Sequence, residues 1–171
     1  MRTITIDKIP RLIKLRRKLE HELNVKISNQ GKEFSVDGSA EDEYIAEKVL
    51  EAINMGFPLA NALLIKNEDF VFEMIKIKHH TKRKDISTIK ARIIGKKGMT
   101  LRILSNLTGC FFEIKDYEIG IIGHVEHIKS AQDAITSLIR GSKQSNVYTK
   151  LERFQPIPIL DLGLKENIGE E

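Results

Sequence analysis

The run Ile93-Ile94-Gly95-Lys96-Lys97-Gly98 constrains this chain more than any other stretch. Upstream of it, Ile86, Ile89 and Ile93 recur at helical spacing; downstream, Leu101, Leu104 and Leu107 do the same. The two stripes cannot belong to one continuous helix, because glycine weakens a helix interior and opens left-handed backbone conformations. A tight loop carrying two lysines therefore joins two core-facing helices. Without a Cβ, glycine also lets another backbone come close. The lysines put positive charge at that point of approach, so the loop is suited to a chain of phosphates.

The elements around the loop follow a definite order. Phe70, Phe72 and Met74 to Ile77 read as a strand, His79 to Lys84 as a basic loop, and Asp85 as the cap of a helix from Ile86. After the loop a second helix ends at Gly109. Cys110-Phe112-Ile114 and Ile119-Ile121-Ile122 read as strands about a turn at Asp116-Tyr117. A last helix is expected to present Val125, Ile128, Ala131, Ile135 and Leu138 and to close at Gly141. The unit is strand, helix, helix, strand, strand, helix.

The first half repeats this order in reduced form. Ile4 and Ile6 suggest a short strand, Leu12, Leu15, Leu19 and Leu23 a helical stripe, and Val25-Ile27 and Phe34-Val36 two strands about Gly31. Ser39 and Asp42 form a capping box for a helix with Ile45, Val49 and Ile53 inward, ending at Gly56. Superposing the units places Pro10-Arg11-Leu12-Ile13 where the second has its glycine loop. The first unit has lost both glycines and most of the helix before them. Pro58 to Ile65 is expected to form an extra joining helix.

Charge is distributed unevenly. The net charge is only +4, yet Lys76, Lys78, Lys82, Arg83, Lys84, Lys90, Arg92, Lys96, Lys97 and Arg102 crowd one stretch in which Asp85 is the only acid. Such asymmetry is the footprint expected for a polyanion, and also fits a solvated surface. In a groove built on the loop, Gly95, Lys96, Lys97 and Gly98 would form one wall, with backbone N–H groups and ammoniums facing phosphates. Ile94 and Leu101 would supply an apolar floor. The strand carrying Phe112 would form the other wall, with Arg92 and Arg102 flanking the loop and reaching toward it. Lys82, Arg83, Lys84 and Lys90 are auxiliary phosphate contacts in this reading. Arg11, Lys14, Arg16, Arg17 and Lys18 decorate the matching helix of the first unit and read as a solvated or partner-docking face.

With these residues in view, the chain resembles tandem type I KH proteins, an α+β class of two packed domains, each β-α-α-β-β-α. The resemblance is strongest over Ile86 to Gly141, in Ala91-Arg92-Ile93-Ile94-Gly95-Lys96-Lys97-Gly98, Leu101, Leu104 and Thr108-Gly109. Arg140-Gly141 with Val147-Tyr148 and Leu151-Glu152 is similar to the tail of archaeal small-subunit ribosome-assembly KH proteins. Their eukaryotic relative partners the nuclease that matures the 3′ end of small-subunit rRNA. The resemblance runs from Met1 to about Arg153. It implies domains at 1–66, with a degenerate loop, and 67–154, with an intact one. It further implies binding of single-stranded small-subunit rRNA near its 3′ end and contact with the α-subunit of initiation factor two or with rRNA-maturation proteins. The degenerate Pro10–Ile13 loop departs from the pattern, so RNA is assigned to the second domain.

Other chemistries fit poorly. Met99 stands where a nucleotide-binding P-loop needs lysine. His124 and His127 lie on one helical face in this reading but lack a completing ligand, so no metal is expected. Cys110, the single cysteine, precedes Phe111-Phe112 and reads as buried. No nucleophile, base and orienting group stand in recognisable order, so neither catalysis nor a cofactor is expected. No apolar run approaches the roughly 20 residues that span a bilayer, and MRTITIDKIPR is too polar for a secretory segment. A cytoplasmic monomer is expected, with a loose or partner-ordered tail over 155–171. Two alternatives remain: a protein-interaction scaffold whose basic face meets an acidic factor, and a general RNA chaperone.

Overall fold

The computed structural model describes residues 1–154; the expected tail lies outside them. In the first lobe, β1 (Arg2–Thr5) leads almost directly into α1 (Ile9–Leu23), followed by β2 (Lys26–Gln30), β3 (Glu33–Asp37) and α2 (Ala40–Met55). Pro10 occupies the first turn of α1, where its missing N–H costs nothing. One helix thus stands where the second lobe has two. Ser39 caps α2 by accepting from the Asp42 amide at 3.1 Å. The strands pair antiparallel in the order β1-β3-β2.

A four-residue helix, α3 (Leu59–Ala62), and one 3₁₀ turn over Leu63–Lys66 join the lobes. The second lobe then runs β4 (Phe70–Lys76), α4 (Ile86–Ile94), α5 (Met99–Thr108), β5 (Phe111–Lys115), β6 (Glu118–His124) and α6 (Ile128–Ile139). Its sheet has the corresponding order β4-β6-β5. A further helix, α7 (Gln144–Phe154), follows; no helix was expected there. Val147 and Leu151, one turn apart, sink into the second core with Tyr148 packed against it.

Two expectations need correction. Val125 is not on the last helix but in the turn before it, 46% exposed. His124 ends β6 and His127 stands at the cap of α6, so the two do not share a helical face. The reason is strand pairing: β4 and β6 stay in register from Lys76↔Glu118 to Phe70↔His124, which extends the strand past the local apolar run. Among the described residues no group of three or more His, Cys, Asp or Glu is placed to hold a metal. None of their helices is long and apolar enough to cross a membrane.

The second sheet is buried on both faces. Ile75, Ile119 and Ile121 point into their own helical core, whereas Ile122, Phe72 and Phe111 join the core of the first lobe. Neighbouring β6 residues thus serve opposite layers, as the two-residue period of a strand requires. Gly120 makes the join possible: a Cβ there would lie 2.9 Å from a Phe57 ring carbon and 3.2 Å from one of Phe72. The two rings meet edge-on, with centroids 6.0 Å apart. Polar ties surround this seam. Lys115 donates to Asp7 at 2.9 Å and to Asn54 Oδ1 at 3.4 Å. Arg11, from the degenerate loop position, donates to the carbonyls of Phe57 at 2.7 Å and Gly56 at 3.4 Å, satisfying the end of α2.

Candidate nucleic-acid interface

The loop over Gly95–Gly98 is a compact reversal fixed at both ends. Asp85 starts α4 by accepting from the Thr88 amide at 3.2 Å. The Gly95 amide closes that helix on Ala91 O at 2.9 Å, and the Gly98 amide returns to Gly95 O at 3.2 Å. Backbone φ is positive at Gly95 (74°), Lys97 (54°) and Gly98 (73°). Lys96 and Lys97 are both exposed. The first turn of α5 has no side-chain cap; the Met99 amide is bonded to Lys96 O, and the helix start adjoins the two ammoniums. Uncapped N–H groups, the positive end of a helix and two lysines make an anion-binding corner.

Next to this corner lie the other groove residues. Ile94 and Leu101 are half-buried, unlike Leu104, which is core. Phe112 is half-buried and packs toward the helices. Among the described residues β5 is an edge strand paired only with β6, and Arg102 is exposed on α5. Leu101, Arg102 and Ser105 of α5 and Phe111, Phe112 and Glu113 of β5 line one cavity of about 260 Å³. Its remaining lining comes from Phe57, Pro58 and Asn61 in the first lobe, which sequence reasoning did not foresee.

Arg92 is placed differently from expectation. Its guanidinium donates to Leu138 O at 3.2 Å and Ser142 O at 2.6 Å, so it does not reach toward β5. Gln144 completes the latch by donating to Arg92 O at 3.1 Å and to the buried Thr100 hydroxyl at 3.4 Å. These bonds tie both arms of the loop to α7. Arg92→Ala should therefore lower stability by about 2 kcal/mol, since hydrogen bonds to a charged donor are worth about 1.5–3 kcal/mol. Chemical denaturation measures this. Affinity for a single strand should fall far less than in the lysine variants considered below.

The auxiliary basic residues are scattered. Lys82, Arg83 and Lys84 are exposed and Lys90 is half-buried. Arg83 lies beside Gly141 at the end of α6 and not in the groove. Cys110 sits just before β5, fully buried, with Sγ over Gly123, where a Cβ would stand 2.2 Å away. Burial pushes its thiol pKa up.

With this geometry defined, comparison with known proteins places the chain. A family profile described as the eukaryotic-type KH domain, type I, matches residues 71–156. This chain belongs to the PNO1 family of type I KH proteins. It is 31% identical over 109 residues to a KH domain-containing protein of Methanocaldococcus jannaschii, covering 63% of this chain and 48% of that one. It is 28% identical over 143 residues to the pre-rRNA-processing protein pno1 of Emericella nidulans, covering 80% of this chain and 55% of that one. The chain thus spans about half the length of the curated relatives it matches.

Two solved PNO1-like structures from Pyrococcus horikoshii share the fold. Dim2p superposes with a TM-score of 0.80 at 25% identity, covering 89% of this chain and 98% of that one. The Dim2p chain in a complex with a/eIF2α and rRNA gives 0.81 at 26% identity, covering 89% and 92%.

Proposed function

We propose that this PNO1-family chain is an RNA-binding adaptor of small-subunit ribosome biogenesis, holding a short single strand of small-subunit rRNA, near its 3′ end, in the groove of its second lobe. One observation carries the reading. The exposed Lys96 and Lys97 project from a loop that opens a helix with no side-chain cap, between the half-buried Ile94 and Leu101, and Leu101 lines one cavity with β5. Phosphates fit the first of these features, base faces the second and base edges the third. Ile94, Gly95, Lys96, Lys97, Gly98, Leu101, Arg102 and Phe112 are the assigned contacts, and Arg92 positions the loop.

The same reading divides the chain at 66/67 and 154/155, supported by the two sheets and the joining segment. The first lobe, with one helix in place of the loop, buttresses the groove and meets a protein, for which the α-subunit of initiation factor two is the leading candidate. The protein works by binding and not by catalysis; its one thiol, buried and raised in pKa, is unfit as a nucleophile. In this reading it acts as a cytoplasmic monomer.

Fluorescence anisotropy at physiological salt tests the proposal. The probes are a single-stranded small-subunit rRNA 3′-end oligonucleotide, its duplex form and a scrambled strand. Preference for the native single strand is expected. Equal binding to all three would reduce the basic face to general electrostatics, and no binding would favour the protein-scaffold reading.

A further inference from the structure

The groove does not end where the second lobe ends. Its β5 side runs into the cavity roofed by the α2–α3 elbow, and that cavity has a division of chemistry suited to one planar base. Phe57, Pro58 and Leu101 give it apolar surface, while Asn61, Arg102 and Glu113 bring polar heads to it. Those three heads make no hydrogen bond of their own, although Glu113 has the charges of Lys8 and Arg11 nearby. Among the described residues, no hydrogen bond or ion pair within 4 Å holds the side chain of Asn61, Arg102 or Glu113. Elsewhere on this seam Arg11, Lys115 and Asp7 are engaged. An amide, a cation and a carboxylate with unused hydrogen-bonding capacity around one small apolar cavity form a recognition set.

Resting on the RNA reading above, we propose that this inter-lobe cavity receives one unpaired guanine of the bound strand, with Glu113 as the residue that selects it. The choice of base follows from hydrogen-bond inventories. A carboxylate accepts through two oxygens side by side. Guanine alone presents two adjacent donors, N1–H and N2–H, on its Watson–Crick edge. Adenine and cytosine each offer an amino group beside an acceptor, and uracil one N–H between two acceptors. Arg102 complements the guanine acceptors, since arginine pairs well with O6 and N7. Burial raises the Glu113 pKa, and the nearby charges of Lys8 and Arg11 offset part of that rise.

The first lobe thereby gains a direct part in RNA recognition without a glycine loop of its own. Its elbow, anchored by Arg11 on Gly56 and Phe57, closes the far end of the groove and limits it to a single base.

Anisotropy with hexanucleotide pools tests this: one position at a time is fixed as A, C, G or U while the others are randomised. Wild type should bind the guanine pool about tenfold more tightly than the uracil pool at one position, the discrimination typical of a good bidentate pair. Glu113→Gln, nearly isosteric, should bring that ratio within about twofold and leave binding to the other pools intact. Asn61→Ala should reduce the ratio as well. Lys96→Asp with Lys97→Asp should weaken every pool alike. A guanine preference that survives both Glu113→Gln and Asn61→Ala overturns the proposal. So does the lack of any guanine preference while wild type still outbinds the lysine variant, and the RNA reading then stands without it. Equal binding by wild type and the lysine variant defeats the RNA reading, and this inference with it.

Discussion

Replacing Lys96 and Lys97 together with aspartate is expected to remove nearly all affinity for single-stranded RNA while leaving the fold in place. Each lysine facing a phosphate makes a charge-assisted contact worth about 1.5–3 kcal/mol. Losing both costs at least about 3 kcal/mol, or more than about 100-fold in affinity, and the new negative charges add repulsion. Two phosphate contacts also set a salt signature. The slope of log affinity against log salt should flatten by about 1.4 for a single strand. Stability should scarcely change, because both side chains are exposed. Lys97 has φ 54°, a conformation aspartate tolerates well, and an acid near the start of α5 suits the helix dipole. Anisotropy and thermal unfolding on the same sample separate the two effects. A large fall in melting temperature would show the loop lysines to be structural.

Gly95→Ala should do the reverse and act on the fold. At φ 74° and ψ 173° Gly95 occupies backbone space open essentially to glycine alone. A Cβ there would also lie 2.1 Å from the Thr100 hydroxyl and 2.7 Å from the Thr100 amide nitrogen. Thr100 is buried in the first turn of α5 and holds Gln144, so it has nowhere to move. Backbone strain and overlap together should cost about 3 kcal/mol or more, roughly 10 °C of melting temperature in a chain of this size. Gly98→Ala is the control. Gly98 has φ 73° and ψ 14°, with open space around an added Cβ, so only the left-handed penalty of about 1–2 kcal/mol applies. Equal losses for the two substitutions would contradict the loop conformation described above.

What the sequence disclosed was mostly local. Asp85 and Ser39 announce helix starts through side chains that bond to amides three residues on. Gly109 announces a stop through the left-handed backbone it adopts. The missing helix before Pro10 was legible because Ile6 leaves no room for one. Long-range choices were not legible. Nothing in the neighbourhood of Arg92 reveals that its partners are Leu138 and Ser142, and the two apolar residues Val147 and Leu151 are too few to announce α7. The strand-to-helix boundary near His124 is hidden from local composition because pairing with Phe70 extends β6. The candidate site shows the same division. The glycine loop stands out as a loop in the sequence, whereas the wall contributed by Phe57, Pro58 and Asn61 exists only once the two lobes share a core.

Amide chemical-shift mapping of the protein titrated with a short single strand of small-subunit rRNA bears most directly on the central claim, that RNA lies in the groove of the second lobe. Shifts should concentrate at Gly95–Gly98, on the Leu101–Arg102 face of α5 and along Phe111–Glu113, with Arg16, Arg17 and Lys18 on α1 unmoved. Shifts centred on α1 or α7, with the loop silent, would contradict it.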